Sequence, residues 1–471
     1  MTACKSVANV ILFTRGTKGD LFPFLALGKG FKDRGCQVSL LSNYCYAAYA
    51  QQECLDFAAL DDQESFDHLN NMPEYHSKLS AKLRLSRDFL VPSLEKEVQI
   101  IGRKISGARD VLIAHSNDLL SPLLAAEKFK VPLYLCMFAP SYIHALDLVE
   151  AVLKSLATDV NRVRQRLGLA HIHDWKAWLH GFEKCFALWP AWFSDDGQKS
   201  IADLEYVGFM PGDGGDRTPL PEEMKTFLGK REKTILITHG TSLPFNDQYF
   251  RLAIASCQET DCKLVVTTPF PELLPDELPD NVHWVKFCSF RELLPRVNLI
   301  VHHGGIGTTH ESIAAGVPQL IVGQGFDRQH NGRIVESLGV GDWIIPKALT
   351  VSAFREKIVN LLDNAAIMAN CARHQAALYD SAASNNLYAS VLRRLENEGT
   401  TRQGVRTDPV DAPARKSSAD VHAASKGDSL QADARPATDR VSERGATNRR
   451  QELLRKMLRN RPNQAKTPIR D

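Results

Sequence analysis

The segment VHHGGIGTTHESIAAG, which begins at Val301, sets two histidines before a run of glycines and two threonines. Glycines let backbone amides approach an anion closely, and the positive end of a following helix favours negative charge. Thr308 and Thr309 are expected to cap that helix and to donate hydroxyl hydrogen bonds to phosphate oxygens. A histidine at the end of the preceding strand can add a charge-assisted hydrogen bond to a diphosphate. The turn therefore predicts a phosphate-binding site.

Two other interpretations of this turn remain open. It could be an ordinary strand-to-helix connection with capping hydroxyls, or it could bind zinc through His302, His303 and His310. Zinc is the weaker alternative because neighbouring residues of a strand point to opposite faces, and no acidic or cysteine side chains complete the coordination. His302 is expected to point away from the phosphate, and His310 is expected on the surface of the helix.

A second turn with glycines, TRGTKGDLFPFLALG, begins at Thr14. Its Asp20 precedes the predicted helix, where a carboxylate could accept the proton of an attacking hydroxyl and accelerate a reaction by about 10²–10⁴. An aspartate with the ordinary pKa of about 3.9 is a weak base for an alcohol, so partial desolvation would be required. Helix capping is the alternative role of Asp20, and both roles can coexist. The P-loop pattern G-x-x-x-x-G-K-[ST] is absent, which disfavours a nucleoside triphosphatase.

Polar residues after two further strands are candidates for binding an acceptor molecule. His115 and Asp118 follow the apolar stretch DVLIA, and Tyr142 and His144 follow FAPS. His115 or Asp118 could orient either the acceptor or Asp20. The alternative is that these are ordinary polar residues at the start of a loop.

Short apolar stretches that alternate with helical patterns are expected to position these turns. VANVILFT, QVSLLSN, DVLIAHS and VPLYLCMFAPS predict buried strands of one parallel sheet with crossover helices. A second series begins at TILITHGTS and continues through CKLVVTT, NVHWVKF, NLIVHHGG and PQLIVGQ. Residues 145–187, rich in Trp, Leu and Lys, interrupt the first series and predict a helical insertion that forms a lid or an acceptor wall.

The predicted class is α/β, with two doubly wound, Rossmann-like domains that face a central cleft. The first domain is expected at 1–211, a linker at 212–230, and the second domain at 231–398, with a terminal helix that could pack back on the first. Residues 399–471 contain few large apolar side chains and predict a disordered basic tail. Within it, 449–461 predicts a short amphipathic helix that is either solvated or in contact with a membrane surface or a partner protein.

The composition of the 471 residues limits the class of protein. A net charge of +2 and the lack of a basic stripe in the folded part argue against a nucleic-acid partner. The 10 cysteines are scattered without a C-x-x-C pair, which is typical of reduced, buried cysteines in a cytosolic protein. Neither a secretory signal nor an apolar stretch of membrane-spanning length is found, so we expect a cytoplasmic protein with, at most, peripheral membrane contact through its tail.

The segment HHGGIGTTHESIAAGVPQLIVGQGFDRQHNGRIVESLGVG resembles the donor-site signature of family 1 glycosyltransferases, which have the GT-B fold. The likeness is greatest to the bacterial branch that holds rhamnosyltransferases of glycolipid synthesis and sterol-type glucosyltransferases, and in looser form it covers residues 7–395. The resemblance implies an inverting enzyme that moves a sugar from a UDP- or dTDP-sugar to a hydroxyl of an apolar acceptor. That acceptor would be a lipid, sterol, polyketide or lipopeptide.

The resemblance also implies roles for individual residues. Asp20, in the G-D-x-x-P pattern of the bacterial branch, would be the catalytic base, and His303 would contact the donor diphosphate. Glu311 would bind the ribose hydroxyls, and Phe287 would stack on the nucleobase, with a place in the core as its alternative. The remaining implied donor contacts are Thr241, Ser242, Cys288, Phe290, Gly305, Thr308, Thr309, Asp327 and Asn331.

One residue departs from the family pattern, because Arg328 stands where the family often has glutamine. Arginine only donates hydrogen bonds whereas glutamine also accepts them, so the identity of the sugar stays open. The sequence lacks the Asp-x-Asp motif with which many sugar transferases hold Mg²⁺ or Mn²⁺, and we expect a metal-independent reaction without a cofactor. Two alternatives to a transferase are a nucleotide-sugar epimerase on the same fold and a non-catalytic, glycosyltransferase-like subunit that activates another protein.

Overall fold

Two parallel β-sheets, one in each half of the chain, organise this computed structural model. The structure describes residues 8–70, 83–107, 109–194, 204–210, 219–229, 232–240, 248–258, 260–379 and 384–401. Both sheets have helices against their faces, so their strands are buried on both sides and consist of nearly continuous apolar residues. The predicted α/β class with two doubly wound domains is confirmed.

The first sheet has seven strands in the order β3-β2-β1-β4-β5-β6-β7, all parallel. Val10 at its centre pairs with Val38 on one side and Val111 on the other. The strands are β1 (Asn9–Phe13), β2 (Gln37–Ser42), β3 (Asp56–Ala59), β4 (Asp110–His115), β5 (Leu133–Met137), β6 (Lys184–Ala187) and β7 (Leu204–Tyr206).

Eight helices accompany this sheet in the described part of the chain. They are α1 (Lys18–Lys32), α2 (Ala47–Gln52), α3 (Gln63–Asn70), α4 (Val91–Lys104), α5 (Leu120–Phe129), α6 (Ser141–Ser155), α7 (Ala157–Arg166) and α8 (Trp175–Leu179). The predicted insertion 145–187 is mainly helical and ends in strand β6, and most of its large apolar side chains, including Leu156, Trp175 and Leu179, are buried in the core of the first domain. Its apolar composition is therefore explained by packing, with Leu148 as an exposed exception.

The second sheet has six parallel strands in the order β10-β9-β8-β11-β12-β13. They are β8 (Lys233–Thr238), β9 (Cys262–Thr267), β10 (Val282–Val285), β11 (Leu299–His302), β12 (Gln319–Val322) and β13 (Gly341–Ile344). The accompanying helices are α9 (Glu222–Leu228), α10 (Tyr249–Cys257), α11 (Phe290–Leu293), α12 (Ile306–Ala315), α13 (Phe326–Ser337), α14 (Val351–Leu362) and α15 (Ala365–Tyr379).

The helices near the two predicted domain boundaries, α9 and the last helix, each pack against one of the domains. Helix α9, inside the predicted linker 212–230, buries Met224 and Leu228 against Leu236 of the second sheet. The last helix, α16 (Ser384–Thr401), returns to the first domain, where Leu387 and Val391 join its core. The tail beyond residue 401, including the predicted helix 449–461, lies outside the described residues. Among the helices that are described, none has the length and apolar character needed to cross a bilayer.

Candidate active site

In each sheet the winding direction reverses between two neighbouring strands, β1 and β4 in the first and β8 and β11 in the second. Ligands of doubly wound proteins bind beyond the carboxyl ends of the strands at such points, because the two flanking loops separate there. The turns after β1 and β11 are the two glycine-containing turns of the sequence, and His115 ends β4. The topology therefore places the main candidate residues at the two positions where a ligand is expected.

The turn after β1 holds Asp20 through a capping box. Thr17 is the N-cap of α1, and its hydroxyl accepts a hydrogen bond from the backbone of Gly19. The Asp20 carboxylate in turn accepts from the backbone N–H of Thr17 at 2.7 Å and from its hydroxyl at 3.0 Å. Asp20 thus stands at the third position inside the helix, which corrects the expectation that it precedes the helix or forms the N-cap itself.

A buried ion-pair network fixes the beginning of the same turn. The backbone N–H and Nε of Arg15 donate to the two oxygens of Asp118, at 2.9 and 3.2 Å, and Nη1 donates to Glu97 at 2.7 Å. Glu97 is 1% exposed and also accepts from the hydroxyls of Ser93 and Ser121. Because both of its oxygens bind Arg15, Asp118 holds the turn in place and has limited capacity to bind an acceptor.

His115 lies beneath this turn in an aromatic environment. Its ring stacks on Phe138 with centroids 4.1 Å apart and meets Tyr142 edge to face at 5.8 Å. The residue is fully buried, and neither ring nitrogen has a hydrogen-bond partner among the described residues. Burial lowers the pKa of His115, while the carboxylates of Asp20 and Asp118 oppose that shift. A neutral imidazole with unused hydrogen-bonding capacity therefore lies within electrostatic reach of Asp20.

The carboxylate of Asp20 is itself perturbed. Burial is the largest cause and raises its pKa, while His115 and the hydrogen bonds from Thr17 act in the opposite direction. A raised pKa makes a carboxylate a stronger base, which is the desolvation that the sequence required of Asp20. Tyr142, whose pKa is also raised by burial, lies within electrostatic reach of both Asp20 and Asp327 of the second domain. The side chain of His144, in the same helix as Tyr142, lies outside the described part.

The ring of His303 in the second domain is enclosed by two glycines. A Cβ at Gly240 would lie 2.7 Å from Cε1 of His303, and one at Gly305 would lie 2.5 Å from Nε2. Burial is the largest cause that lowers the pKa of His303 well below the ordinary value, followed by the nearby Arg328 and His239. The imidazole is neutral at pH 7, so the expected charge-assisted bond to a diphosphate is not available from the free protein. A neutral His303 can still donate or accept one hydrogen bond, and its Nδ1 has no partner among the described residues.

His302, the last residue of β11, has a structural position. Its Nδ1 accepts from the backbone N–H of Gly304 at 3.1 Å, and its Nε2 therefore donates to Gln319 at 3.0 Å. Burial lowers its pKa to about 4, so the ring stays neutral. Both nitrogens are used to hold the turn against the neighbouring strand β12, and none remains for a ligand.

Helix α12 begins in a way the sequence did not predict. Gly305 is the N-cap, and no side chain caps the helix. The hydroxyl of Thr309 donates to the backbone carbonyl of Gly305 at 3.0 Å, and Thr309 is fully buried. Capping by Thr308 and Thr309 is therefore a wrong expectation, because the helix starts before both. The first N–H groups, from Ile306 to Thr308, have no acceptor within a helix that starts here and point toward the cleft end of the sheet.

Helix α13 packs directly over the same turn. Asn331 is fully buried and donates from Nδ2 to the carbonyl of Gly304 at 2.9 Å. Gly304 has a φ of +84°, and a Cβ there would lie 3.0 Å from the backbone oxygen of Arg328. Arg328 is therefore held beside the turn that follows β11 by backbone packing. Glu311 and Asp327, expected to bind ribose and sugar hydroxyls, are partly exposed.

The predicted nucleobase segment presents an open aromatic ring. The side chain of Phe287 is 60% exposed, so the alternative prediction, that Phe287 belongs to the core, is wrong. Cys288 is buried, with its Sγ 3.6 Å from the hydroxyl of Thr267, and Phe290 begins α11. Thr241 and Ser242 lie outside the described residues.

A metal site is not found in the described part of the chain. No group of three or more His, Cys, Asp or Glu side chains there could hold a metal ion, and this includes His302, His303 and His310.

The two domains meet around this site. Lys18 of α1 lies over the ring of Phe287, and α13 contacts α6. His310 stacks on Phe209 at 4.7 Å, and Trp192 packs on His374 of α15 at the same distance. His310 therefore contacts the first domain, where the sequence had predicted a plain helix surface. Sequence reasoning also missed His239, 5.2 Å from His303, although it follows β8 at the switch point and could have been found there.

Two family models match the chain. Residues 10–145 match the glycosyltransferase family 28 N-terminal domain, and residues 251–397 match the C-terminal domain of proteins like erythromycin biosynthesis protein CIII. These two segments contain the turn with Asp20 and the turn with His303, respectively. Each of the two described turns therefore lies within a matched domain.

Curated relatives and solved structures agree with these models. The chain is 32% identical over 155 residues to aclacinomycin-T 2-deoxy-L-fucose transferase of Streptomyces galilaeus, which is 32% of this chain and 35% of the relative. It is 23% identical over 394 residues to sterol 3-beta-glucosyltransferase of Sclerotinia sclerotiorum, 74% of this chain and 26% of the relative. The chain thus spans about a third or less of the length of these relatives.

Spinosyn rhamnosyltransferase SpnG, solved with thymidine diphosphate, superposes with a TM-score of 0.63 at 16% identity. The superposition covers 83% of this chain and all of that one, and at this identity it establishes the fold. The predicted GT-B fold and the predicted resemblance to glycosyltransferases are confirmed by these matches.

Proposed function

We propose that this protein is an inverting, metal-independent glycosyltransferase. The proposal is supported by the GT-B fold and by the matches to a glycosyltransferase family 28 N-terminal domain and to an erythromycin CIII-like C-terminal domain. The donor is a UDP- or dTDP-sugar held by the second domain, and the acceptor is an apolar molecule with a free hydroxyl held by the first. The observation that carries the proposal is the pairing across one cleft of a carboxylate with a raised pKa, Asp20, and a phosphate-type turn built on Gly305.

The reaction is a single displacement at the anomeric carbon. The acceptor oxygen attacks that carbon as the bond to the diphosphate breaks, and the electron pair of that bond leaves with the diphosphate. Asp20 takes the hydroxyl proton, and its raised pKa suits it to the task. Because base and diphosphate lie on opposite domains, attack comes from the face opposite the leaving group, which inverts the anomeric configuration.

The leaving diphosphate needs compensation for its charge. The N-terminal amides of α12 and the cation of Arg328 can provide it, and neutral His303 adds a hydrogen bond. Glu311 and Asp327 would accept hydrogen bonds from ribose and sugar hydroxyls, and Thr308 would add a hydroxyl. The thymidine diphosphate bound to the spinosyn enzyme supports a nucleoside diphosphate as the leaving group here.

His115 has a positioning role in this scheme. The imidazole of His115 lies within electrostatic reach of Asp20, and the positive charge that it carries when protonated opposes the effect of burial on the pKa of Asp20. Tyr142 meets the ring of His115 edge to face and lies within electrostatic reach of Asp327 of the second domain, which supports a place for its side chain in the wall of the acceptor site. The aclacinomycin-T and sterol transferases among the relatives support an apolar acceptor.

A thermal-shift screen with UDP, dTDP and a panel of their sugars tests the proposal. A true donor raises the unfolding midpoint with the logarithm of its concentration, by an amount that follows its dissociation constant. Product analysis by NMR with a labelled donor and a panel of apolar alcohols then reports the anomeric configuration. A lack of stabilisation by every nucleotide would refute the donor site. Conversion of the donor without any acceptor would instead identify an epimerase, and retention of configuration would refute the single displacement.

A further inference from the structure

Lys18, the first residue of α1, reaches from the first domain to an aromatic ring of the second. Its Nζ lies 5.7 Å from the centroid of the Phe287 ring and 5.2 Å from that of Tyr49. Both distances fall within the range of about 6 Å over which a cation is attracted to a ring face. Phe287 is 60% exposed, so the ammonium covers a ring that is otherwise open to solvent.

The other two lysines of α1 behave differently, and Lys32 donates to the backbone carbonyl of Cys54 at 2.8 Å. Lys29 pairs with Asp33 of the same helix turn at 3.9 Å, as an exposed ion pair of the usual kind. Lys18 instead extends over two rings, one from each domain, with Tyr49 supporting it from its own side. Of the three lysines of α1, Lys18 is the one whose recorded contact reaches the second domain.

We propose that Lys18 is a donor-binding residue supplied by the first domain, and that its ammonium covers the nucleobase once the base stacks on Phe287. This inference rests on the proposed function and on the expectation from the sequence that Phe287 stacks on the nucleobase of the donor. A base on the ring moves the ammonium outward by the thickness of the base and receives the same cation–π attraction, since every base has a π face. The nucleobase is then held between Phe287 of the second domain and Lys18 of the first.

The position of Lys18 links this contact to the catalytic carboxylate. Lys18 follows the N-cap Thr17 directly, and Asp20 lies two residues further on in the same capping box. A nucleotide that engages Lys18 therefore stabilises the helix turn that carries Asp20. Binding of the donor to the second domain therefore orders the catalytic carboxylate of the first domain before an acceptor binds.

Isothermal titration of UDP and of dTDP measures this contribution without requiring catalysis. Lys18→Met keeps the aliphatic stem and removes the charge, and we expect about two- to fivefold weaker binding of the nucleotide that the wild-type protein prefers, which corresponds to the strength of an exposed cation–π contact. Lys18→Arg should retain the wild-type affinity. Lys29→Met, a change of the same kind on the same helix, should also leave the affinity unchanged and serves as the matched control.

A double-mutant cycle identifies the ring as the partner. With Phe287→Leu as background, Lys18→Met should weaken binding by clearly less than in the wild-type protein. Equal losses in both backgrounds would contradict the sandwich with Phe287. Unchanged binding by Lys18→Met would overturn the proposal, and tighter binding would show that Lys18 competes with the nucleotide. If the wild-type protein binds neither nucleotide, the proposed function fails and this inference fails with it.

Discussion

The Cβ that any other residue would carry at position 305 lies 2.5 Å from Nε2 of His303. The backbone of Gly305 has a φ of −65°, which every amino acid can adopt, so the constraint on this glycine is the imidazole and not the chain conformation. The shape of the phosphate turn and the position of the histidine therefore depend on each other.

Replacement of Gly305 by alanine should displace the ring of His303 and lower the stability of the nucleotide-free protein by about 1–3 kcal/mol, the usual cost of one extra carbon in a filled site. Nucleotide affinity should fall as well. The matched control is Gly307→Ala, two residues further into α12, where a Cβ meets nothing within 4 Å. Because alanine is favoured over glycine in a helix, that variant should be at least as stable as the wild type. Equal midpoints of thermal unfolding for the two variants would contradict this account.

Asp20→Asn should reduce kcat by about 10²–10⁴ and leave nucleotide binding intact, because asparagine cannot accept the proton but can still accept the capping hydrogen bonds from Thr17. Steady-state kinetics and thermal shift with the nucleotide check the two halves of this prediction. Full turnover by the variant would remove Asp20 from the mechanism.

Thr17→Ala separates capping from catalysis. It should cost about 0.5–2 kcal/mol of stability, the usual value of a helix cap, while the carboxylate remains. The hydrogen bond from the Thr17 hydroxyl lowers the pKa of Asp20, so its removal should raise that pKa. Since the base acts when ionised, the acid limb of the rate profile should then move to higher pH. A limb that stays in place would argue that Asp20 is not the titrating base.

Stability should fall in acid because several histidines are buried as neutral rings. Burial lowers the pKa of His302 and of His310 to about 4, and their unfolded value is about 6.5. Between these values the unfolded chain binds protons that the folded chain does not, so the free energy of unfolding decreases as pH falls below about 6.5. At pH 5 each such histidine costs up to about 2 kcal/mol, and the loss levels off below pH 4.

His310→Phe tests this dependence, since phenylalanine can keep the stack on Phe209 without titrating. Urea unfolding at pH 7 and pH 5 should show a smaller loss of stability for the variant than for the wild type. An identical loss would mean that His310 is protonated in the folded state.

Arg328→Gln restores the residue that the glycosyltransferase family often has, and it should raise the pKa of His303 because the nearby cation contributes to the lowered value. The pKa should remain below its ordinary value, since burial is the larger cause. An NMR titration of the imidazole measures the change. Arg333→Gln, on the same helix but with its guanidinium over Trp343, should leave the pKa of His303 where it is. Sugar preference should also change in the Arg328 variant.

The sequence predicted the two domains and both turns because their signals are local. Apolar stretches predict strands, and glycines with polar residues at a strand end predict a ligand turn, so Asp20 and Gly305 could be found within a dozen residues of context. Thr309 was assigned a wrong role for a related reason. Whether a hydroxyl caps a helix or bonds back to a carbonyl depends on the residue at which the helix starts, and this helix starts at Ile306, three residues before Thr309.

Contacts between distant parts of the chain could not be predicted in this way. Arg15 binds Glu97 and Asp118 across 82 and 103 residues, and no local pattern pairs these charges. The same holds for His115, whose position between Phe138 and Tyr142 depends on how the end of β4 meets the segment that follows β5. Lys18 and Phe287 belong to different domains, so their contact depends on how the domains are arranged.

The return of α16 to the first domain limits how such proteins can be recombined. Tyr388 of α16 packs edge to face on Phe31 of α1. Its ring also fills the space that a side chain at position 30 would need, so Gly30 and Tyr388 are complementary in shape. A chimaera that exchanges the donor-binding half together with its last helix would place a different side chain against Gly30 in the position of Tyr388. Crossover points that leave α16 with its own first domain should give folded hybrids, and the donor range could then be exchanged as a cassette.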